Sequence, residues 1–75
     1  MSDLAIRDAP LSPTTLSEIK RLTQPGARIT YSTAIDGFES QAAILTRQFP
    51  NAKIIYQGKV GSGAGERGVI IIELP

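Results

Sequence analysis

Apolar residues recur at helical spacing in two parts of the chain and alternate with polar residues in others. Leu16, Ile19 and Leu22 lie three residues apart and share one side of a helix, while charged residues occupy the other side. This pattern predicts a first helix from about Pro13 to Thr23. Ser12 is a good N-cap for it, and the proline that follows suits the first helical position.

A buried strand is predicted directly after this helix. Pro25 cannot continue a helix, and Gly26 tolerates the left-handed conformation that caps one. From Ala27 to Thr33 the residues alternate, so that Ile29 and Tyr31 lie on one face of the strand and polar side chains on the other.

The second half of the chain predicts a helix and a hairpin. We expect a helix over Phe38–Phe49, preceded by Asp36-Gly37 as a turn or N-cap, and two strands over Lys53–Val60 and Gly68–Leu74. A flexible Gly-rich loop joins the two strands as an antiparallel hairpin. With a short strand near Leu4–Ala9, the predicted order is β-α-β-α-β-β. The β-branched run Ile70–Ile72 predicts a strand covered on both faces.

One segment of this pattern resembles a known enzyme family. The string Glu-Ile-x-Arg-x-x-x-Pro-Gly-Ala-Arg-Ile, residues 18–29, is similar to the late helix-to-strand crossover of class I S-adenosylmethionine-dependent methyltransferases. The order of elements from Leu4 to Leu74 resembles the C-terminal half of that fold. The resemblance implies a three-layer α/β half of a Rossmann-like methyltransferase sheet, with four or five strands and two helices. The cofactor-binding half of the family has no counterpart here, so we expect no cofactor.

A second resemblance concerns the C-terminal modules of bacterial polymorphic and contact-dependent toxins. It rests on Asn51-Ala-Lys-Ile-Ile-Tyr-Gln-Gly58 and on the terminal Ile-Glu-Leu-Pro75. It implies a toxin module that pairs with an immunity protein. If Met1 is the native start, we expect a cytoplasmic chain. If the chain is excised from a longer protein, the parent protein is expected to be secreted or exposed at the cell surface.

Composition narrows the possible chemistry. The 75 residues are 41% apolar and 20% charged, which is typical of one small folded domain. The absence of Cys and His excludes disulfides, thiolate chemistry and zinc sites that need those ligands. A formal net charge of +1 provides no general attraction to nucleic acid, and no apolar run reaches the ~20 residues of a membrane span.

The best candidate active site combines the hairpin loop with the end of the second strand. Glu66 and Arg67, with Lys59 across the hairpin, are suited to a metal-independent ribonuclease, which needs a base for the 2′-hydroxyl and cations for the phosphate. Tyr31 and Thr33 end a strand where open α/β sheets place ligands. The alternative is that the loop residues are a solvated turn pair and that the tyrosine is a core or edge aromatic.

Three further features each have a structural alternative. The glycines of the loop could bind phosphate, but a strand follows them rather than a helix, which favours an ordinary hairpin loop. Tyr56 could stack on a base or pack against the protein. Asp36 and Glu39 could bind a divalent metal, but acidic residues at a helix start more often stabilise the helix dipole, so we expect no metal site.

These observations leave two functional hypotheses. The first is a C-terminal effector or toxin module of a larger exported bacterial protein, acting in the cytoplasm with RNA as its candidate substrate. The second is a non-enzymatic partner-binding domain, or the residual C-terminal portion of a methyltransferase. For a half-fold we expect Ile54, Val69 and Ile71 to lie on an uncovered sheet face or edge, where an immunity protein or another partner would bind.

Overall fold

The computed structural model of the chain describes residues 3–75, so the expectation about Met1 lies outside the described residues. The elements follow the predicted β-α-β-α-β-β order. They are β1 (Leu4–Arg7), α1 (Pro13–Leu22), β2 (Arg28–Ala34), α2 (Ile35–Gln48), β3 (Lys53–Val60) and β4 (Arg67–Glu73), with a 3₁₀ turn at Gly63–Gly65 between the last two strands.

The first helix begins and ends where local chemistry predicts. The Ser12 hydroxyl accepts a hydrogen bond from the Thr15 N–H at 3.2 Å, which satisfies one of the free donors of the first turn. At the other end the Thr23 N–H bonds to the Ile19 carbonyl at 3.1 Å, and Gly26 adopts a φ of 85° before β2. The predicted helix is therefore confirmed to within one residue.

The second helix begins three residues earlier than predicted. It starts at Ile35, directly after β2, and its N-cap residue Ala34 makes no side-chain capping bond. We expected Asp36 and the glycine after it to form a turn or an N-cap, but both lie in the first turn of α2. An acidic residue there is favourable because it faces the positive end of the helix dipole. The helix ends at Gln48, just before the predicted stop at Pro50.

The four strands form one mixed sheet in the order β1-β2-β4-β3. β1 and β2 are parallel, whereas β4 is antiparallel to both β2 and β3. The predicted hairpin of β3 and β4 is confirmed, and β4 is a central strand. The molecule is thus a mixed α/β fold with a four-stranded sheet and two helices.

Both helices pack on the same face of this sheet, so the fold has two layers and not the three that we expected. Alternate residues of β2 and β4 form one core with both helices. That core comprises Leu11, Leu16, Ile19, Ile29, Tyr31, Phe38, Ala42, Leu45, Ile70 and Ile72. The physical reason is handedness: the crossovers β1-α1-β2 and β2-α2-β3 advance in the same direction across the sheet, and right-handed crossovers then place both helices on one side.

The opposite side of the sheet has no covering layer among the described residues, and we call it the open face. The prediction that Ile70–Ile72 is covered on both sides is therefore wrong. Ile70 and Ile72 are buried against the helices, whereas Ile71 between them points to the open face and is only half-buried. A β-branched run identifies a strand, but it does not show how many layers cover it.

Candidate functional site

Tyr31 is a core residue whose hydroxyl is already bonded. Its side chain is 1% exposed, and its hydroxyl donates a hydrogen bond to the Ala9 carbonyl at 2.8 Å. Burial raises the pKa of the Tyr31 phenol, a hydrogen bond with the Thr33 side chain opposes this, and the negative charge of Asp8 adds to the increase. A neutral, buried and bonded phenol holds the segment after β1 against the core, which is the structural role given above as the alternative to catalysis.

Arg67 forms an ion pair with an acidic residue from the other end of the chain. Its guanidinium lies 2.5 Å from the Asp8 carboxylate, and its side chain is 24% exposed. Asp8 has a φ of 61°, a conformation that non-glycine residues rarely adopt, and its N–H bonds to the Ser32 carbonyl at 2.9 Å. The Arg7 guanidinium approaches the same carboxylate at 3.7 Å. The pair ties the end of β1 to the start of β4.

Lys59 and Arg67 point to opposite faces of the sheet. Lys59 stands opposite Gly68, which faces the helices, whereas Arg67 stands opposite Val60 and faces away from them. Glu66 lies between the 3₁₀ turn and β4, is half-buried, and forms no ion pair with another described residue. The register places Thr33, Gly68 and Lys59 in one row on the helix-facing side of the sheet, with Thr33 and Lys59 two strands apart. Arg67 lies on the other side and meets Asp8, whose charge also acts on Tyr31, so the structure does not gather the predicted site residues around one point.

The Gly-rich loop is a compact turn. Gly61 and Gly63 have φ values of 84° and 58°, and a Cβ at Gly61 would lie 2.5 Å from the Gly65 carbonyl oxygen. The N–H groups of Gly65 and Glu66 bond to the carbonyls of Ser62 and Gly63 at 3.1 and 3.2 Å. Two of the backbone N–H groups that would have to bind a phosphate are thus already bonded within the turn. This agrees with the interpretation of the segment as an ordinary hairpin loop.

Lys59 instead lines a groove between β3 and the first half of α2. The groove has a volume of about 500 Å³. It is lined by Ile35, Asp36, Phe38, Glu39, Ser40, Gln57, Gly58 and Lys59. With two carboxylates and one ammonium, the groove carries a net negative formal charge and repels a phosphate backbone. Sequence reasoning did not connect Asp36 and Glu39 with Lys59, because their proximity depends on how α2 crosses the sheet.

Metal coordination finds little support in these side chains. Within residues 3–75 there is no group of three or more acidic, His or Cys side chains that could hold a metal ion. Asp36 lies in the first turn of α2, where its charge stabilises the helix dipole.

The main exposed apolar surface lies on β3. Ile54, Ile55, Tyr56 and Val60 are 39–48% exposed. Every residue of β3 except Gly58 is exposed, whereas β4 alternates between buried and half-buried. Edge position explains this difference, because β3 is bonded on one side only and no helix covers it.

The apolar surface of β3 continues across the open face onto β4. Tyr56 stands opposite Ile71, and Gly58 stands opposite Val69; both β4 side chains are half-buried. Ile54 stands opposite the buried Ile72 and therefore faces the helix side, but its edge position leaves it 48% exposed. The expectation of exposed apolar side chains is confirmed for Ile54 and confirmed in part for Val69 and Ile71, which are half-buried on the open face. Tyr56 lies over Gly58, where a Cβ would be 3.0 Å from the phenol oxygen.

Comparison with known proteins identifies no relative. Searches against protein-family models, curated proteins and solved structures produced no significant match. Of the two helices that the structure describes, neither has the length and apolar character needed to cross a membrane.

Proposed function

We propose that this chain is a partner-binding module, and that the partner covers β3 and the adjoining apolar strip of the open face. One observation carries this proposal. Four of the five large apolar side chains that are exposed among the described residues lie on the single strand β3. Scattered apolar residues are normal on a protein surface, but a contiguous group on an uncovered strand is typical of an interaction site.

The residues of this surface are suited to protein binding. Tyr56 presents a large ring at low entropic cost and is supported by Gly58 beneath it. Val60 and the half-buried Ile71 lie on the same face of the sheet as this ring. Such a cluster forms the apolar centre of an interface. Arg67 at the start of β4 and Arg28 of β2, which stands opposite the last residue of β4, provide a charged rim.

The resemblance to toxin modules adds one specific partner to this proposal. If the chain is the C-terminal module of a larger exported bacterial protein, the partner that covers β3 would be its immunity protein, in the cytoplasm. The methyltransferase resemblance also implies a partner: if the chain is part of such a fold, a second chain or domain would occupy the uncovered sheet. Both remain predictions from sequence, and the exposed strand is compatible with each of them.

The ribonuclease hypothesis also remains a prediction, but the geometry does not favour it. Lys59 and Arg67 face opposite sides of the sheet, Tyr31 is buried, and the carboxylates beside Lys59 oppose phosphate binding. To test it directly, the chain is expressed from an inducible promoter in bacteria and total RNA is examined on a gel. Growth arrest with discrete RNA fragments would overturn the binding-module proposal as the main function. We expect intact RNA.

Site-specific photocrosslinking in the organism that encodes the chain tests the binding surface. A photoreactive phenylalanine is introduced at Tyr56 or Val60, and at Arg47 and Glu18 as matched exposed controls on the two helices. We expect one discrete crosslinked product from both β3 positions and none from the helix positions. Equal yields from all four positions, or no product from any of them, would contradict the proposal.

A further inference from the structure

The free edge of β3 is the longest exposed run of extended backbone in the described structure. β3 spans eight residues and pairs only with β4, so the peptide groups along its other side have no strand partner. β1, at the opposite edge, spans only four residues. An eight-residue edge is long enough for an extended segment of another chain to add to the sheet through main-chain hydrogen bonds.

The charges on this edge are all positive. Lys53 and Lys59 lie near its two ends, and Lys53–Val60 contains no acidic residue. Within residues 3–75 neither lysine takes part in an ion pair. Lys53 stands opposite Glu73, but the Glu73 carboxylate is bonded to the Arg28 guanidinium at 3.0 Å.

This charge pattern decides between a second copy of the chain and a different partner. If two copies paired through β3, four lysines would meet along one seam without an acidic side chain from either strand. Lysines and a bulge are common devices that prevent such self-pairing at a sheet edge. Pairing with an acidic strand of a different protein is favoured instead, because each lysine then gains a cross-strand partner of opposite charge.

The bulge in β3 sets the spacing of those charges. The register shifts between Ile54 and Tyr56, so that Lys53 pairs with Glu73 and Lys59 pairs with Gly68. The two lysines are six residues apart, but their partners on the regular strand β4 are only five apart. Lys59 consequently faces the helices and Lys53 faces the open side.

From this geometry we infer that β3 adds an antiparallel strand of a partner protein that carries two acidic residues five positions apart. One carboxylate meets Lys59 on the helix side, and the other meets Lys53 on the open side. Apolar residues between these two carboxylates cover Tyr56 and Ile54. The carboxylates of Asp36 and Glu39, which line the groove with Lys59, disfavour further acidic residues on the helix side. This inference rests on the proposed partner-binding function and specifies the chemistry of the partner.

Three synthetic heptapeptides test the inference against the ¹⁵N-labelled chain by NMR titration. The first, Val-Glu-Val-Thr-Val-Val-Glu, has the predicted spacing. The second, Val-Glu-Val-Thr-Val-Glu-Val, has the same composition but acidic residues four positions apart. The third replaces both glutamates of the first with lysines. We expect the first peptide to shift the amide signals of β3 and to bind about tenfold more tightly than the lysine peptide, with the four-spaced peptide in between.

A charge reversal on the chain supplies the matched control. The double variant Lys53→Glu with Lys59→Glu should prefer the lysine peptide by a similar factor of about ten. The variant Lys20→Glu with Arg47→Glu makes the same change of net charge on the helices and should keep the preference for the acidic peptide. If the β3 double variant does not fold, the single variant Lys59→Gln should still reduce the acidic preference about threefold.

The outcomes separate this inference from the proposed function. Equal binding of the acidic and lysine peptides, or shifts confined to the helices, would overturn the acidic-strand inference. Concentration-dependent shifts of β3 without peptide would also overturn it, in favour of pairing between two copies. If crosslinking at Tyr56 succeeds while the peptides show no acidic preference, the binding module stands and the strand-addition inference fails.

Discussion

Replacing Gly68 with alanine tests how the core determines the position of α2. Gly68 lies on β4 beneath the ring of Phe38, and a Cβ atom at this position would overlap the ring. The ring is 5% exposed, so its movement would disturb the packed core around it. Gly68 is not among the glycines of the described chain with positive φ, so alanine is compatible with its backbone and the expected effect arises from the overlap.

The magnitude follows from two opposing contributions. Overpacking a well-packed core costs about 1–3 kcal/mol, and this contact lies well inside the usual carbon–carbon separation of ~3.5–4.0 Å, which favours the upper end. Replacing glycine also restricts the unfolded chain, which stabilises the fold by about 0.4–1 kcal/mol. The net loss is about 2 kcal/mol, out of a total of roughly 4–11 kcal/mol for a chain of this size.

Urea denaturation followed by circular dichroism measures this loss, and thermal unfolding should show a midpoint lowered by about 8–16 °C. The matched control is Gly37→Ala. Gly37 lies in α2 with no atom within 4 Å of an added Cβ, so alanine should stabilise the chain by about 0.5–1 kcal/mol through helix propensity.

A double-mutant cycle with Phe38→Leu identifies the cause. The smaller side chain leaves room for the new methyl group, so the loss from Gly68→Ala should shrink by at least about 1 kcal/mol in the Phe38→Leu background. The reasoning is refuted if Gly68→Ala is as stable as the wild type. It is also refuted if the two losses simply add, since the ring would then not be the group that the methyl displaces.

Two further substitutions test the buried phenol and the helix cap. Tyr31→Phe removes the hydroxyl that donates to Ala9 and should cost about 0.5–1.5 kcal/mol near pH 7. Because the folded pKa of Tyr31 is raised, the stability that its protonated hydroxyl contributes is fully present below the unfolded pKa of 10.0 and is lost as the pH rises through the folded pKa. The difference in unfolding free energy between wild type and Tyr31→Phe, measured by urea titration, should therefore narrow above pH 10.0. A constant difference would contradict this. Ser12→Ala removes the acceptor of the Thr15 N–H and should lower the free energy of unfolding by about 1 kcal/mol, as measured by thermal unfolding. The exposed control Ser17→Ala should not lower it. Equal effects of the two substitutions would rule out capping as the cause.

Element order and most element bounds were predictable because their signals are local. Ser12 caps a helix through an atom three residues away, and the Pro25-Gly26 pair ends it through backbone preferences of its own residues. Alternation identified the buried side of β2. The start of α2 was missed because an Asp-Gly pair is compatible with a turn and also with a first helical turn.

The candidate site was less predictable, because its geometry depends on contacts between distant residues. Arg67 meets Asp8 across 59 positions of sequence, and Lys59 lines a groove with the acidic residues of α2 rather than pairing with Glu66. No periodicity in the sequence encodes these pairings. The bulge beside Ile55 is likewise not encoded in any periodicity of the sequence. It reverses the face of every residue that follows it on β3.

The sequence by itself determined the elements of this protein, their order and the hairpin, because turns, caps and alternation act over a few residues. Only the tertiary structure decided that both helices cover one side of the sheet and that β3 lies exposed at its edge. The physical reason is that periodicity shows which side chains share a face, while handedness, strand order and register decide what that face meets. The exposed strand on which the proposed function rests is therefore a property of the fold.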